Sequence, residues 1–399
     1  MHSALKLIFP IFILTLTMSL INKFNISRLM RENNGSIGRL NSSINSQSFL
    51  AENSFEGLKA NFNISSFHEV MQHRIEHINI ACKKISEHGE ALPSTASLGF
   101  WANQKIGASE PVQIYILRKE QIAWCPVPKA ASTSWKINML HLRASNEQIE
   151  DLVERITIPE DRLTTVGFEF LSMQQWKSYS SVNNANLTLF MIVRHPFHRI
   201  VSAFRSIFEE TNIFSSKVGS KIVEEFRDSA TASGRFSEEE SFLASKKQLT
   251  QLTKQLIPKT KYLKTHPTFW EFVQAVINNA KYLSNLPFDD MSVHWRPIYQ
   301  QCSVCHASML SNVKYILKYE NLDAEEDQLL RYLGWNDIIH HKAHVIHQVN
   351  NKTKLEKDIP ELTKLYFSTL DKDDVYELYV KYKPDFELFG YPFRWRDWS

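Results

Sequence analysis

The stretch WCPVPKAASTSWK, residues 124–136, sets Lys129 ahead of five small residues, three of which (Ser132, Thr133 and Ser134) carry hydroxyls. Small side chains let a ligand reach the backbone. Hydroxyls and the free N–H groups of a helix start donate hydrogen bonds, and the ammonium adds a full charge. That combination suits a phosphate or a sulfate. A second cationic stretch, RHPFHRIVSAFRSIF, occupies residues 194–208. The planar guanidinium of Arg194 matches a terminal phosphate with two hydrogen bonds, which a point-charge lysine does not. Ser202 follows about two helical turns later.

These residues need elements to hold them. VQIYIL and IAWCPV read as strands, and residues 133–142 continue as a helix that carries apolar Trp135, Ile137, Met139 and Leu140. LTLFMIV, residues 187–193, is a continuous apolar strand of the kind buried in parallel sheets. Pro196 suits a first helical turn, and Ile200, Val201, Phe204 and Phe208 share one helical face behind it. VKYILKY, residues 313–319, precedes a helix over about residues 324–333. Alternating strands and helices predict an α/β fold with a central, mainly parallel sheet. Ligands of such sheets bind at the carboxyl ends of the strands, where both cationic loops fall.

The chain has 399 residues, 43% of them hydrophobic and 22% charged, enough for one large catalytic domain with flanking sequence. A formal charge of +3 argues against a general nucleic-acid binder. Residues 7–21, LIFPIFILTLTMSLI, are apolar and lack a small-x-small cleavage site, so they read as a signal anchor rather than a cleaved signal peptide. This gives a cytoplasmic tail at 1–6, an anchor at 7–21, a stem at 22–66 and a catalytic domain at 67–399. The stem is rich in Asn and Ser, and four N-x-[ST] sequons (Asn25, Asn34, Asn41, Asn63) place it in the secretory pathway. Two more sequons lie at Asn186 and Asn351. No G-x-x-x-x-G-K-[ST] and no G-x-G-x-x-G is present. The first loop is similar to a P-loop with its glycines replaced.

CPVPKAASTSWK resembles the 5′-phosphosulfate loop of the Golgi carbohydrate sulfotransferases of the chondroitin/dermatan 4-O- and HNK-1 type, and IVRHPFHRIVSAFR resembles their 3′-phosphate motif. HWRPIYQQCSVC (294–305), KYENL (318–322) and YKPDFELFGY (382–391) resemble further blocks of that family in the same order. The resemblance implies a P-loop-like sulfotransferase fold in a single-pass type II Golgi membrane protein with its catalytic domain lumenal. It implies 3′-phosphoadenosine 5′-phosphosulfate (PAPS) as sulfate donor, with no metal. Lys129 would sit at the bridging oxygen, with Ala131, Ser132, Thr133, Ser134 and Trp135 around the 5′-phosphate. Arg194 and Ser202 would hold the 3′-phosphate. The acceptor it implies is a glycan hydroxyl on an anionic galactosaminoglycan. Two positions depart from the family: His195 stands where an acidic residue is usual, and Ser132 where Cys is common.

Other constellations point elsewhere or nowhere. Asp371-Lys372-Asp373 is formally the D-x-D of a metal-dependent glycosyltransferase, but within DKDDVYELYVKY it reads as a solvated helix start. His340, His341, His344 and His347 lack a carboxylate or Cys partner set and read as a structural or acceptor-side loop. Cys302 and Cys305 lack the second pair that a zinc site needs. A lumenal enzyme would instead join them in a local disulfide and leave Cys82 and Cys125 for a second. A glycan-binding protein of the same fold without turnover is the alternative of a different class, and intact Lys129, Arg194 and Ser202 argue against it.

A sugar hydroxyl needs a base that titrates near neutral pH. His195 and His198 lie at the 3′-phosphate end. His294 opens HWRPIYQQC, with Asp289 or Asp290 upstream to orient it, and is the candidate base; Glu169 and His347 come next. Residues 244–266 carry six lysines and no acidic residue, a patch that would attract a polyanionic glycan. Replacing Lys254, Lys259, Lys261 and Lys264 by Ser is expected to raise the KM for a polyanionic acceptor and flatten its salt dependence. Unchanged acceptor kinetics would reduce the patch to a solvated surface.

Overall fold

The computed structural model describes residues 64–87, 113–143, 149, 160–182, 187–209, 213–232, 264–278, 293–339 and 359–398, all within one compact unit, Phe62–Ser399. The expected anchor, nearly all of the stem, most of the lysine patch, Asp289, Asp290 and the His340 to His347 loop lie outside the described residues. Among the described residues, no helix is long and apolar enough to cross a membrane.

Five apolar runs form one sheet: β1 (Gln113–Leu117), β2 (Ile122–Cys125), β3 (Glu169–Ser172), β4 (Thr188–Val193) and β5 (Val313–Lys318). Their order is β3-β1-β2-β4-β5. β4 pairs in parallel with β2 on one side and β5 on the other, whereas β1 is antiparallel to β2 and β3. Four strands therefore share one direction, and the expected mainly parallel sheet is found with β1 as the exception. The reason is local. Gln121 takes a left-handed backbone (φ 55°) and donates its N–H to Arg118 O at 3.1 Å, turning β1 directly into β2 as a hairpin. β2 and β4 are the strands with the most continuous burial, as a two-sided parallel position demands.

Six helices matter for the site: α1 (Ile64–Glu87), α2 (Ser132–Leu140), α3 (Pro196–Phe204), α4 (Ile298–Gln301), α5 (Leu322–Leu333) and α6 (Lys372–Leu388). α2, α3 and α5 follow β2, β4 and β5. α2 is seated by Trp135, which is fully buried against Phe190 of β4 with ring centroids 4.7 Å apart. α1 packs on β5: Arg74 donates twice to Glu325 at 2.7 Å and once to Ile316 O at 2.6 Å, and Phe67 stacks on Tyr315. α6 begins as a capped helix, as its sequence suggested. Asp371 accepts from the Asp374 N–H at 2.8 Å, and Asp374 accepts from that of Asp371 at 3.2 Å. Asp374 also accepts from Trp270 and Gln274, so these carboxylates serve the helix start.

The disulfides correct the expected pairing. Cys82 of α1 is joined to Cys305, and Cys125 at the end of β2 to Cys302, with Cα separations of 5.3 and 6.2 Å. Cys302 caps α4 and is fully buried, facing β2, whereas Ser303 (φ 46°) reverses the chain and leaves Cys305 exposed toward α1. The C-x-x-C therefore splits between core and surface. Non-reducing peptide mapping is expected to recover Cys82 linked to Cys305 and Cys125 linked to Cys302; an internal Cys302–Cys305 bridge would contradict the fold. Replacing Cys125 and Cys302 by Ala should cost about 2–5 kcal/mol of stability, read by urea denaturation.

Candidate active site

Parallel pairing brings the ends of β2, β4 and β5 to one edge, and the three chain segments that leave them build the site. After β2 the backbone curls. Lys129 and Ala131 are both left-handed, with φ of 69° and 60°. For non-glycine residues this conformation costs roughly 1–2 kcal/mol each. Such turns gather N–H groups into anion-binding concavities. Ala131, the N-cap of α2, offers no side-chain oxygen, so nothing in the cap competes for the N–H groups of Ser132, Thr133 and Ser134. Ser132 and Thr133 are open to solvent, while Ser134 is buried. Trp135, expected among the phosphate contacts, is placed in the core, and its N–H is taken by Ala131 O at 3.0 Å.

After β4 comes Arg194, only 4% exposed, with its guanidinium 4.1 Å from the ring centroid of Tyr319. Its Nη1 donates to Lys129 O at 2.8 Å, which ties the two cationic loops together. Its Nε is buried and makes no hydrogen bond within the protein, an orphan donor that an anion would satisfy. In α3 nearly every residue is buried, and only His198 and Ser202, one turn apart, are partly open. Ser202 is thus on the one accessible face of its helix. His195 has its ring 4.4 Å from that of His198, centroid to centroid, but is itself buried. Its ring lies among Phe386, Tyr391 and Trp398, and its Nδ1 accepts the Phe197 N–H at 3.2 Å as the cap of α3. Burial, with the nearby His198 as a second cause, lowers its pKa to about 3, so the ring is neutral.

Behind β5 stands Glu320. Its carboxylate accepts from the His195 N–H at 2.7 Å and from Tyr391 Oη at 2.9 Å, with His198 Nδ1 at 3.7 Å. Burial alone would raise its pKa, but His198 and the His195 N–H outweigh it and hold the group at about 2. Glu320 thereby joins three of the family-like blocks.

His294 stands beside the donor loop. Its Nδ1 is buried without a hydrogen-bond partner. Burial first, then the charges of Lys129, Arg199 and Lys136, push its pKa down to about 3. The expectation of a base that titrates near neutrality is not met in the free protein, where burial foremost and the neighbouring cations after it keep this imidazole neutral. The charges that act on it beside burial are those of cations, which favour an incoming anion. Glu169, the next candidate, sits at the start of β3 by the β1–β2 turn, at the opposite edge of the sheet, and is paired with Arg118.

Sequence reading missed Arg199 and Asp385. Arg199 is fully buried and Asp385 is too, where its carboxylate accepts the N–H groups of Ile298 and Tyr299 at 2.7 and 2.9 Å. The available signal was that Arg199 does not share the His198 and Ser202 face of α3, the helix's narrow polar face, and so points inward. No group of residues able to hold a metal occurs among the described residues.

Two depressed histidines fix a pH dependence. His195 and His294 bind protons less readily folded than at their ordinary value of 6.5. Their contribution to stability is complete above pH 6.5 and is lost as pH falls toward 3; Asp385, raised by burial to about 6, works in the opposite sense. The melting temperature is expected to fall between pH 7 and pH 5. A His195→Asn variant, whose amide oxygen can still cap Phe197, should flatten that slope. An unchanged slope would mean His195 protonates as easily folded as unfolded.

The sequence pattern of the Sulfotransferase family matches residues 112–392. The chain is 27% identical to carbohydrate sulfotransferase 12 of Mus musculus over 289 residues, covering 68% of this chain and 58% of that protein. It is 24% identical to carbohydrate sulfotransferase 10 of Rattus norvegicus over 331 residues, 80% of this chain and 74% of the relative. With carbohydrate sulfotransferase 11 of Rattus norvegicus it shares 25% identity over 275 residues, 68% and 64% of the two chains. No solved structure matches it. The matched span takes in β2 with its phosphate-type loop, β4 with Arg194, β5 and α6, and on that ground the chain belongs to the sulfotransferase family.

Proposed function

We propose that the protein transfers a sulfuryl group from PAPS to a hydroxyl of a glycan, and that the glycan is a galactosaminoglycan of the chondroitin/dermatan type sulfated at the 4-hydroxyl. The observation that carries the first part is the anion-seeking edge itself: Arg194 Nε orphaned, and Lys129, Lys136 and Arg199 together bearing on His294. The names of the relatives, all carbohydrate sulfotransferases, and the lysine-rich stretch at 244–266 support a carbohydrate that is itself anionic. The same kinship and the apolar, sequon-flanked start of the chain support a Golgi membrane protein with its catalytic part lumenal.

In this reading the α2 N-terminus and the hydroxyls of Ser132 and Thr133 take the 5′-phosphate, while Arg194 and Ser202 take the 3′-phosphate. The acceptor oxygen attacks sulfur as the bond from sulfur to the bridging oxygen breaks, and the bridging oxygen leaves with the nucleotide. Lys129 stabilises the charge that builds on that oxygen. His294 takes the hydroxyl proton. Burial is the larger cause of the depressed imidazole pKa, and an anionic donor offsets the share due to the cations, so donor binding shifts that pKa upward. Lys129 and His294 are thus coupled through one charge cluster.

Incubating the full chain with radiolabelled PAPS and a panel of glycosaminoglycans tests the reading. Label is expected in chondroitin or dermatan, and binding of the nucleotide without transfer to any polysaccharide would leave only a glycan-binding role. Lys129→Ala should depress kcat most. Arg194→Ala should weaken donor binding by about 1.5–3 kcal/mol, the worth of a lost charge-assisted bond. Because Arg194 also holds the Lys129 carbonyl, its removal should lower kcat as well. His294→Ala should cost roughly 10²–10⁴ in kcat with donor affinity nearly unchanged; a folded variant retaining more than about a tenth of its turnover would move the base elsewhere.

A further inference from the structure

Arg199 is the most deeply buried cation in the described core, at 0% exposure, and it is not placed as a ligand for phosphate. All of its hydrogen bonds go to backbone carbonyls. Nε donates to Pro128 O at 2.9 Å, Nη1 to Arg296 O at 2.7 Å and Nη2 to Val293 O at 2.8 Å. Burial lowers its pKa only to about 10, so it remains charged at neutral pH. The Asp385 carboxylate is near enough to favour that charge, but its hydrogen bonds go to the amides of Ile298 and Tyr299. Burying a charge that no carboxylate grips is costly, and an apolar residue would fill the space more cheaply. What an apolar residue lacks is the planar fork.

The three carbonyls belong to two segments that meet at the site. Pro128 precedes Lys129 in the donor loop, and Val293 and Arg296 bracket His294. We propose that Arg199 is a positioning residue for sulfuryl transfer: its guanidinium pins the segment around His294 to the donor loop and so sets the imidazole against Lys129. The proposal rests on His294 being the base, as argued above.

Neighbouring contacts support a division of labour. Gln301 Nε2 donates to the same two carbonyls, Val293 O at 2.9 Å and Arg296 O at 2.6 Å, and Tyr382 donates to Trp295 O. These hold the His294 segment to itself and to α6. The Cys125–Cys302 disulfide and Arg199 both cross from it to the end of β2 and its loop. The disulfide fixes the far end of α4, and Arg199 fixes the end that carries His294.

The test is Arg199→Lys in the full chain, beside His294→Ala and the double variant. Lysine keeps the charge and cannot span three carbonyls. Expected is a kcat lower by about 10–100-fold, the usual consequence of a misplacement near 1 Å. The dissociation constant of the nucleotide product, measured by calorimetry, should stay within about threefold, in contrast to the loss expected at Arg194. In the His294→Ala background the same change should have little further effect on kcat. Amide hydrogen exchange should rise in residues 293–301 and 126–131 and not across the sheet. An unchanged kcat, an equal fall in nucleotide affinity, or full additivity with His294→Ala would overturn the proposal. If His294→Ala itself turns over normally, the base assignment fails, and the exchange pattern together with the split between kcat and affinity decides whether Arg199 still positions this segment. Should Arg199→Lys not fold, Gln301→Ala loosens two of the same carbonyls and is expected to show the same split at smaller size; equal losses of kcat and affinity there would count against the proposal.

Discussion

The parallel pairing of β4 with β2 and β5 is the constraint on which the rest of the site depends. Parallel strands end on the same edge, so the loops after β2, β4 and β5 are delivered side by side although long stretches of chain separate them. Once they are neighbours, short-range bonds become available. Arg194 reaches the carbonyl of Lys129, Tyr319 lies beneath the Arg194 guanidinium, and Glu320 accepts the N–H of His195. None of these contacts is local in sequence, and each secures a residue that would otherwise have rotamer freedom. The two left-handed residues of the donor loop are tolerable for the same reason, since arginines grip the carbonyls of Pro128 and Lys129 on their own side of the curl.

Several buried acids of the described core are paired with cations or with backbone donors. Glu325 and Glu271 are buried against Arg74 and Arg227, and Glu320 collects three donors. Around His294 the balance is broken in favour of cations. A low local dielectric amplifies that imbalance, which penalises a protonated imidazole and favours an incoming anion by the same interaction. His195, equally depressed, shows that the shift alone does not identify function: it is walled in by aromatic rings and spends its Nδ1 on a helix cap. Position relative to the donor loop separates the two histidines.

Much of this was legible in the chain. The apolar continuity of residues 187–193 reports two-sided burial, and β4 is the central parallel strand. The small, hydroxylated run after Lys129 marked a helix start with open N–H groups, and α2 begins at Ser132. Asp371 reads as a helix cap and is one. Trp135 shows the limit of such reading. Its place in a phosphate-type motif suggested a ligand contact, whereas an indole in the first turn of a helix packed on a sheet is worth more in the core, against Phe190.

What the sequence determined by itself was the kind of chemistry and the elements that carry it, because both depend on residue types a few positions apart. The tertiary structure alone decided the partners. The cysteine pairing could not be read from spacing, since it turns on a left-handed Ser303 that points Cys302 inward and Cys305 outward. The pKa of His294 is set by burial and then by Lys129, Arg199 and Lys136, all distant along the chain, and the role of Arg199 by carbonyls from two separate segments. Electrostatic energies and hydrogen bonds fall off over a few ångströms of space, and only the folded backbone fixes which residues lie within that range.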